Sequence, residues 1–184
     1  MRVIAGKFRS CPLRSLRGRD LRPTTDRLRE TLFNVVAQQV PDAVWLDLYA
    51  GSGAVGIEAL SRGARMAYFV EASRPAAAAI RHNLASLGIE DGFEILERDA
   101  LQALRKLDAE AVIANLCFLD PPYHMADAYE LSLGFLSQSR LLLPASVVIV
   151  EHDKHYDPGE ACGALRRYRK LKQGDAVLSF YRLA

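Results

Sequence analysis

The sequence has little cysteine and no long apolar run. Its three cysteines, Cys11, Cys117 and Cys162, are far apart and form no CxxC pair, so neither a disulfide framework nor a zinc site is indicated. No apolar stretch is long enough to cross a bilayer, and the basic N-terminus lacks the apolar core of a signal peptide. We therefore expect a soluble cytoplasmic protein without a membrane partner.

Histidine gives no stronger indication of a metal. His152 and His155 flank Asp153 in a stretch that the sequence predicts to be a loop, and a third ligand is not apparent. No metal is predicted.

The charge of the chain is small overall but uneven. The 184 residues have a formal net charge of +2, and half of them are hydrophobic, as expected for one domain with a proper core. Between Arg2 and Glu30, however, nine basic residues face three acidic ones. We interpret residues 1–23 as a basic arm or hairpin that binds a polyanion, and residues 24–184 as the main domain. A solvated tail is the alternative for the arm.

Strand and helix patterns alternate along the main domain. Apolar runs that predict buried strands cover residues 44–49, 67–70, 93–96, 111–119 and 147–150, with helical patterns between them. Two further strands surround Gly174 near the C-terminus. The pattern predicts an α/β fold with a doubly wound, mostly parallel sheet and a C-terminal antiparallel hairpin.

A glycine-rich loop follows the first strand. Residues 51–56 read G-x-G-x-x-G, and Glu71 follows the second strand. This arrangement is typical of dinucleotide enzymes, so an NAD-dependent oxidoreductase is one hypothesis. Asp47 favours another, because a carboxylate beside the loop would repel pyrophosphate but suits the ammonium group of S-adenosylmethionine. Asp99, after the third strand, could accept an adenine amine or cap a helix.

The fourth strand ends in Asp120, Pro121, Pro122 and Tyr123. The two prolines fix an extended turn at the carboxyl end of the strand, where open α/β sheets bind their ligands. A carboxylate, a free carbonyl and an aromatic ring on such a turn could hold a planar amine such as a nucleobase. A surface turn is the alternative.

Together, these motifs resemble the class I methyltransferases that modify exocyclic amines. Residues 22–34, from Arg-Pro-Thr-Thr-Asp-Arg to Asn34, and residues 2–9 are similar to the signatures of the RsmD family, the bacterial 16S ribosomal RNA guanine-N2 methyltransferases. Tyr123 stands where that family has Tyr or Phe. The stretch from His152 to His155 is less acidic than the family pattern.

The resemblance implies a set of site residues. The catalytic residues would be Asp120, Pro121, Pro122 and Tyr123. The contacts to S-adenosylmethionine would be Asp47, Tyr49, Gly51, Ser52, Gly53, Glu71, Asp99 and Ala100. The contacts to RNA would be Lys7, Arg9, Arg22, Thr24, Arg27 and Arg29.

The resemblance also implies the reaction and the partner. The enzyme would methylate the N2 amine of a guanine in 16S ribosomal RNA, either as free RNA or in the small-subunit particle, and nothing demands more than a monomer. Methylation of adenine N6 or of a protein glutamine remains an alternative, because both present an sp2 amine. A non-catalytic RNA-binding module is a third possibility, which the intact half-sites disfavour.

Overall fold

The computed structural model of the protein describes residues 1–15, 25–122 and 125–184, and these residues form eight strands and five α-helices. The strands are β1 (Val44–Leu48), β2 (Met66–Val70), β3 (Phe93–Leu96), β4 (Leu116–Leu119), β5 (Val147–Asp153), β6 (Ala161–Cys162), β7 (Leu165–Gln173) and β8 (Ala176–Leu183). The helices are α1 (Asp26–Val35), α2 (Ala54–Ser61), α3 (Arg74–Ser86), α4 (Ala100–Ala109) and α5 (Ala126–Leu136).

All eight strands belong to one sheet, in the order β3-β2-β1-β4-β5-β8-β7-β6. Strands β1 to β5 are parallel to one another, whereas β8 runs antiparallel to β5 and pairs with β7 as a hairpin. This confirms the predicted fold class. The chain reverses its direction of strand addition between β1 and β4, and such a switch point opens a crevice for a ligand at the carboxyl ends of the strands.

Helices cover both faces of the sheet and create two cores. Helices α1, α2 and α3 pack on one face, where Trp45 of β1 stacks on Phe33 of α1 with ring centroids 5.1 Å apart. Helices α4 and α5 pack on the other face around Leu46, Cys117 and Val148. The alternate side chains of the central strands are therefore buried on both sides, which explains their continuous apolar sequence.

Residues 1–15 fold against the main domain. Arg2 and Pro12 form an antiparallel bridge, and the side chains of Val3 and Leu13 are buried in the core beside α1 and α2. The carboxylate of Glu58, itself fully buried on α2, accepts hydrogen bonds from the backbone N–H groups of Ile4 (2.7 Å) and Ala5 (3.0 Å). This part of the basic segment is therefore packed in the core rather than free, and residues 16–24 lie outside the described part of the chain.

Some strand and helix boundaries differ from the predictions. Strand β4 begins only at Leu116, because α4 ends at Ala109 and the apolar residues that follow form a turn at Ala111, whose φ is +55°, and then an irregular segment. Strand β5 continues to Asp153, so His152 is not in a loop. It is fully buried, and its Nε2 lies 2.9 Å from the Ser179 hydroxyl. No helix among the described residues is long and apolar enough to cross a membrane.

Candidate active site

The glycine loop takes the shape that its sequence predicts. Gly51 and Gly53 have φ values of +55° and +77°, a left-handed conformation that glycine adopts without steric cost. Gly53 is the N-cap of α2. A Cβ atom on Gly56 would lie 2.3 Å from the ring of Phe69, so this glycine allows α2 to pack closely on β2. The loop therefore joins the carboxyl end of β1 to a helix that begins beside it.

Asp47 lies beneath this loop and is almost fully buried. One of its carboxylate oxygens accepts a hydrogen bond from the backbone N–H of Gly56 at 2.9 Å. Burial raises the pKa of Asp47 to about 7, and the nearby charge of Glu71 adds to the rise, whereas the bond from Gly56 opposes it. In this environment the charged form of the carboxylate is stabilised most by contact with a cationic group.

Glu71 connects the loop to the second strand. Its carboxylate accepts hydrogen bonds from the backbone N–H groups of Gly51 (2.8 Å) and Ser73 (2.7 Å). Each oxygen keeps a further lone pair for a ligand hydroxyl. Glu71 therefore holds the glycine loop in place while it lines the crevice.

Asp99 serves as the N-cap of α4, because its side chain accepts a hydrogen bond from the backbone N–H of Leu101 at 2.9 Å. The capping alternative is therefore the one that the structure displays. The side chain is exposed at the pocket rim, so the predicted contact with an adenine amine stays a prediction.

These residues surround one cavity of about 390 Å³, a size usual for a small-molecule site. The predicted residues that line it are Asp47, Tyr49, Gly51, Ser52, Glu71, Asp99, Ala100, Asp120, Pro121 and Pro122. Gly53 is not among the lining residues, because it lies under the loop against Ile80 and Phe69. Tyr123 lies outside the described residues.

The electrostatics of the cavity favour a cationic ligand. Its described lining has four carboxylates, on Asp47, Glu71, Asp99 and Asp120, and one guanidinium, on Arg98. A pyrophosphate would meet repulsion from these acids, which argues against NAD. S-adenosylmethionine, with an ammonium, a sulfonium and a ribose, fits these carboxylate acceptors. The burial of the Asp47 carboxylate in the lining supports the fit most directly.

Two tyrosines position the walls near the Asp-Pro-Pro turn. Tyr49 follows β1 with a φ of +63°, and its hydroxyl lies 3.1 Å from that of Ser132 on α5. The Tyr129 hydroxyl, buried on the same helix, donates to the carbonyl of Glu151 at 3.1 Å and lies 3.5 Å from that of Pro121. Sequence reasoning missed Tyr129, because an aromatic residue on a helix indicates core packing first.

The N-terminal segment forms another wall of the cavity, which the sequence did not predict. Met1 and Ser15 line it. Asn83, buried on α3, donates to the carbonyls of Ser52 (2.9 Å) and Arg14 (3.1 Å), and it accepts from the Arg14 N–H at 2.8 Å. One side chain therefore ties the glycine loop to the N-terminal segment.

The predicted RNA contacts divide into three groups. Lys7, Arg9 and Arg27 are exposed and available to a phosphate backbone, whereas Arg22 and Thr24 lie outside the described residues. The prediction is wrong for Arg29. Its side chain is fully buried and donates to the carbonyls of Arg2 (2.7 Å) and Ala54 (3.3 Å) and to the carboxylate of Asp26 (2.8 Å). It fixes α1 to the N-terminal segment and to the start of α2.

Several known proteins are similar to this chain over most of its length. The family described as "Conserved hypothetical protein 95" matches residues 1–182. YlbH of Bacillus subtilis is 32% identical over 182 residues, which is 99% of this chain and 98% of that protein. The ribosomal RNA small subunit methyltransferase D of Haemophilus influenzae is 35% identical over 155 residues, covering 84% of this chain and 79% of its own.

A solved structure, of the protein yhhF from Escherichia coli, superposes with a TM-score of 0.85 at 30% identity and covers 100% of this chain and 97% of that one. The similarity therefore includes the N-terminal segment, the glycine loop and the C-terminal hairpin together. With its acidic pocket suited to S-adenosylmethionine, this chain belongs to the RsmD family of methyltransferases.

Proposed function

We propose that the protein transfers a methyl group from S-adenosylmethionine to the exocyclic N2 amine of a guanine in small-subunit ribosomal RNA. The observation that carries the proposal is the shared cavity: Asp120 and Pro121, at the end of β4, line the same pocket as Asp47 and Glu71. An acceptor pair for an amine thus lies beside a site for a cationic cofactor. The names of the relatives support RNA as the substrate.

Each acidic residue has a separate part in cofactor binding. The buried carboxylate of Asp47 would pair with the ammonium group, and Glu71 would accept hydrogen bonds from the ribose hydroxyls. Asp99, at the rim, would accept from the adenine amine. When bound, the cofactor supplies an electrophilic methyl group on a sulfonium.

The residues of the Asp-Pro-Pro turn would activate the guanine N2 amine. The lone pair of the guanine N2 amine is delocalised into the ring, which makes the amine a poor nucleophile. The Asp120 carboxylate and the Pro121 carbonyl would accept hydrogen bonds from its N–H groups and so return electron density to the nitrogen. Orienting the amine for in-line attack contributes further, and such positioning can lower a barrier by about 7–11 kcal/mol.

The polyanionic substrate would be held outside the cavity. Lys7, Arg9 and Arg27 are exposed, and arginine can bind a phosphate through two parallel hydrogen bonds. A target base in folded RNA must leave its stack before it can enter the pocket, which costs a few kcal/mol. Tyr123 is the residue that we propose stacks on the released base.

The proposal is tested by incubating the purified protein with labelled S-adenosylmethionine and either 16S ribosomal RNA or small subunits that lack the modification. Mass spectrometry of nucleosides and mapping of the methylated position should give N2-methylguanine at one site. Methylation of adenine N6 instead would replace the proposed base with the alternative one. Absence of labelled RNA in both substrates would contradict the proposal.

A further inference from the structure

An exposed aromatic ring lies near arginines on the C-terminal hairpin and is not part of the cavity lining. Tyr168 of β7 is 46% exposed, although tyrosine usually covers its ring. The guanidinium of Arg182 lies over this ring, 4.7 Å from its centroid. Arg166 is in register with Arg182 across the hairpin, and both side chains are exposed, as is that of Arg169. We call Arg166, Tyr168, Arg169 and Arg182 the Tyr168 patch.

The positive charge of this patch is not neutralised by its neighbours. The acidic residues of this edge, Asp157 and Glu160, both pair with Arg167, and Asp157 also pairs with Lys170 at 2.7 Å. The ion pairs within the described part of the chain include none to an arginine of the Tyr168 patch, and Arg166 donates only to the carbonyls of Gly163 and Leu165. Three arginines without a carboxylate partner among the described residues therefore lie on the same stretch of the hairpin as one exposed ring, and one of them contacts it.

The patch lies on the same face of the sheet as α1. The Tyr168 ring is 6.3 Å from that of Phe180, which packs in the core beneath α1 and α2. At the other end of β7, Gln173 accepts a hydrogen bond from the Thr31 hydroxyl of α1 at 2.9 Å. Tyr168 is five residues from Gln173, or about 17 Å along the strand. A bound RNA strand could therefore extend from the exposed Arg27 of α1 to the Tyr168 patch.

Protection of the sheet edge does not account for all of these features. Strand β6 pairs only with Leu165 and Arg166, so the described remainder of β7 is an edge strand, and charged residues discourage such edges from pairing with another chain. That task needs charge, which Arg167, Lys170 and Lys172 already provide. It does not need a large exposed aromatic ring in contact with a guanidinium.

We propose that the Tyr168 patch is a second RNA-binding surface, on which an unpaired base stacks on Tyr168 while the arginines hold the flanking phosphates. Rings beside cationic side chains are the usual combination in proteins that bind single-stranded nucleic acid. The inference rests on the proposed function and deepens it, because it places RNA across α1 and the C-terminal hairpin in addition to the N-terminal segment.

The test compares Tyr168→Ala and the double variant Arg169→Glu/Arg182→Glu with the native protein. Binding to a 16S ribosomal RNA transcript is measured at several salt concentrations, and binding to assembled small subunits is measured in parallel. We expect Tyr168→Ala to weaken binding to the transcript at least about fivefold. The double variant should also show a shallower dependence on salt, by about 0.7 in the log–log slope for each lost phosphate contact.

Arg105→Glu is the matched control, because Arg105 is exposed on α4 at the opposite face of the sheet. It should bind RNA within twofold of the native protein. The variants of the patch should retain the native melting temperature and the native thermal shift with S-adenosylmethionine, and their kcat at saturating RNA should be unchanged while KM rises.

Native affinity of both patch variants for the transcript, with normal methylation by the native protein, would overturn this inference and leave the proposed function standing. A loss confined to assembled subunits would also overturn it, in favour of a contact with a ribosomal protein. Increased self-association without a change in RNA affinity would show that the residues only protect the edge. If the native protein neither binds nor methylates the RNA, the proposed function fails, and this inference fails with it.

Discussion

At the scale of single residues, Asp47 gives a prediction in which stability and ligand binding change in opposite directions. Its pKa is about 7 in the folded protein and 3.8 when unperturbed. Between these values the folded state keeps a proton that the unfolded state has lost, so the free energy of unfolding falls as pH rises from about 4 to about 7. Asp47→Asn removes this effect and keeps an acceptor for the Gly56 N–H.

We therefore expect Asp47→Asn without cofactor to melt several degrees above the native protein at pH 8, and the difference to be much smaller at about pH 4.5. The same variant should lose most of the thermal shift that S-adenosylmethionine produces, because the ammonium group lacks its partner. Thermal unfolding at both pH values, with and without cofactor, measures both effects. Asp91→Asn, which changes an exposed carboxylate outside the cavity lining, is the control. Equal melting of the native protein and Asp47→Asn at pH 8 would contradict the raised pKa of Asp47.

Asp120 gives a prediction about catalysis rather than binding. Asp120→Ala should retain the thermal shift with S-adenosylmethionine, because the acids of the β1 and β2 ends remain. Its methyl transfer to RNA should fall by about 100-fold or more, since one acceptor for the target amine is lost. Single-turnover transfer of labelled methyl groups measures this, with the exposed Asp127→Ala of α5 as the control. Native rates in Asp120→Ala would refute the role given to the turn.

At the scale of elements, local sequence determines more of the site than distant contacts do. The glycine loop and the Pro-Pro turn could be predicted, because left-handed φ values and missing N–H groups restrict the residue type directly. The burial of Arg29 could not be predicted, because a charged residue next to Leu28 gives no sign of burial. Its partners Arg2 and Ala54 are also distant in sequence. Leu131 shows the converse, because it is an apolar residue on α5 and yet its side chain is 53% exposed.

The role of Asn83 depends on contacts between elements that only the fold brings together. Its partners are 31 and 69 residues away, and it connects α3, the glycine loop and the N-terminal segment. Asn83→Ala removes the partner of partly buried backbone groups of Ser52 and Arg14, which costs about 1–3 kcal/mol for each group that water does not reach. We expect a lower melting temperature and a weaker response to S-adenosylmethionine, because the loop loses its support.

Thermal unfolding and calorimetric titration with the cofactor measure these two effects. His82→Ala, a change to the exposed neighbour on the same helix, should alter neither. An Asn83→Ala variant that is less stable but binds cofactor with native affinity would show that Asn83 supports the fold without shaping the pocket.

At the scale of the whole molecule, residues 1–15 take part in three tasks that a separate arm could not combine. They bury Val3 and Leu13, they satisfy the carboxylate of Glu58, and they line the cavity through Met1 and Ser15. Composition predicted only their charge, because apolar residues spaced among arginines show no periodicity. The packing joins cofactor and RNA recognition in one structure, so loss of the segment should affect both.

Deleting residues 2–15 therefore distinguishes a packed segment from a separable arm. Two buried aliphatic side chains contribute about 1.5–3 kcal/mol each, and Glu58 would lose two backbone donors and keep Arg62 as its partner. Against a total stability of about 5–15 kcal/mol, we expect a large fall in melting temperature and loss of the cofactor response. The exposed pair Lys7→Ala/Arg9→Ala should instead melt normally and bind RNA less tightly, with weaker salt dependence. A deletion variant that keeps the native melting temperature and cofactor affinity would restore the arm hypothesis, since only a detached segment can be removed without disturbing the core.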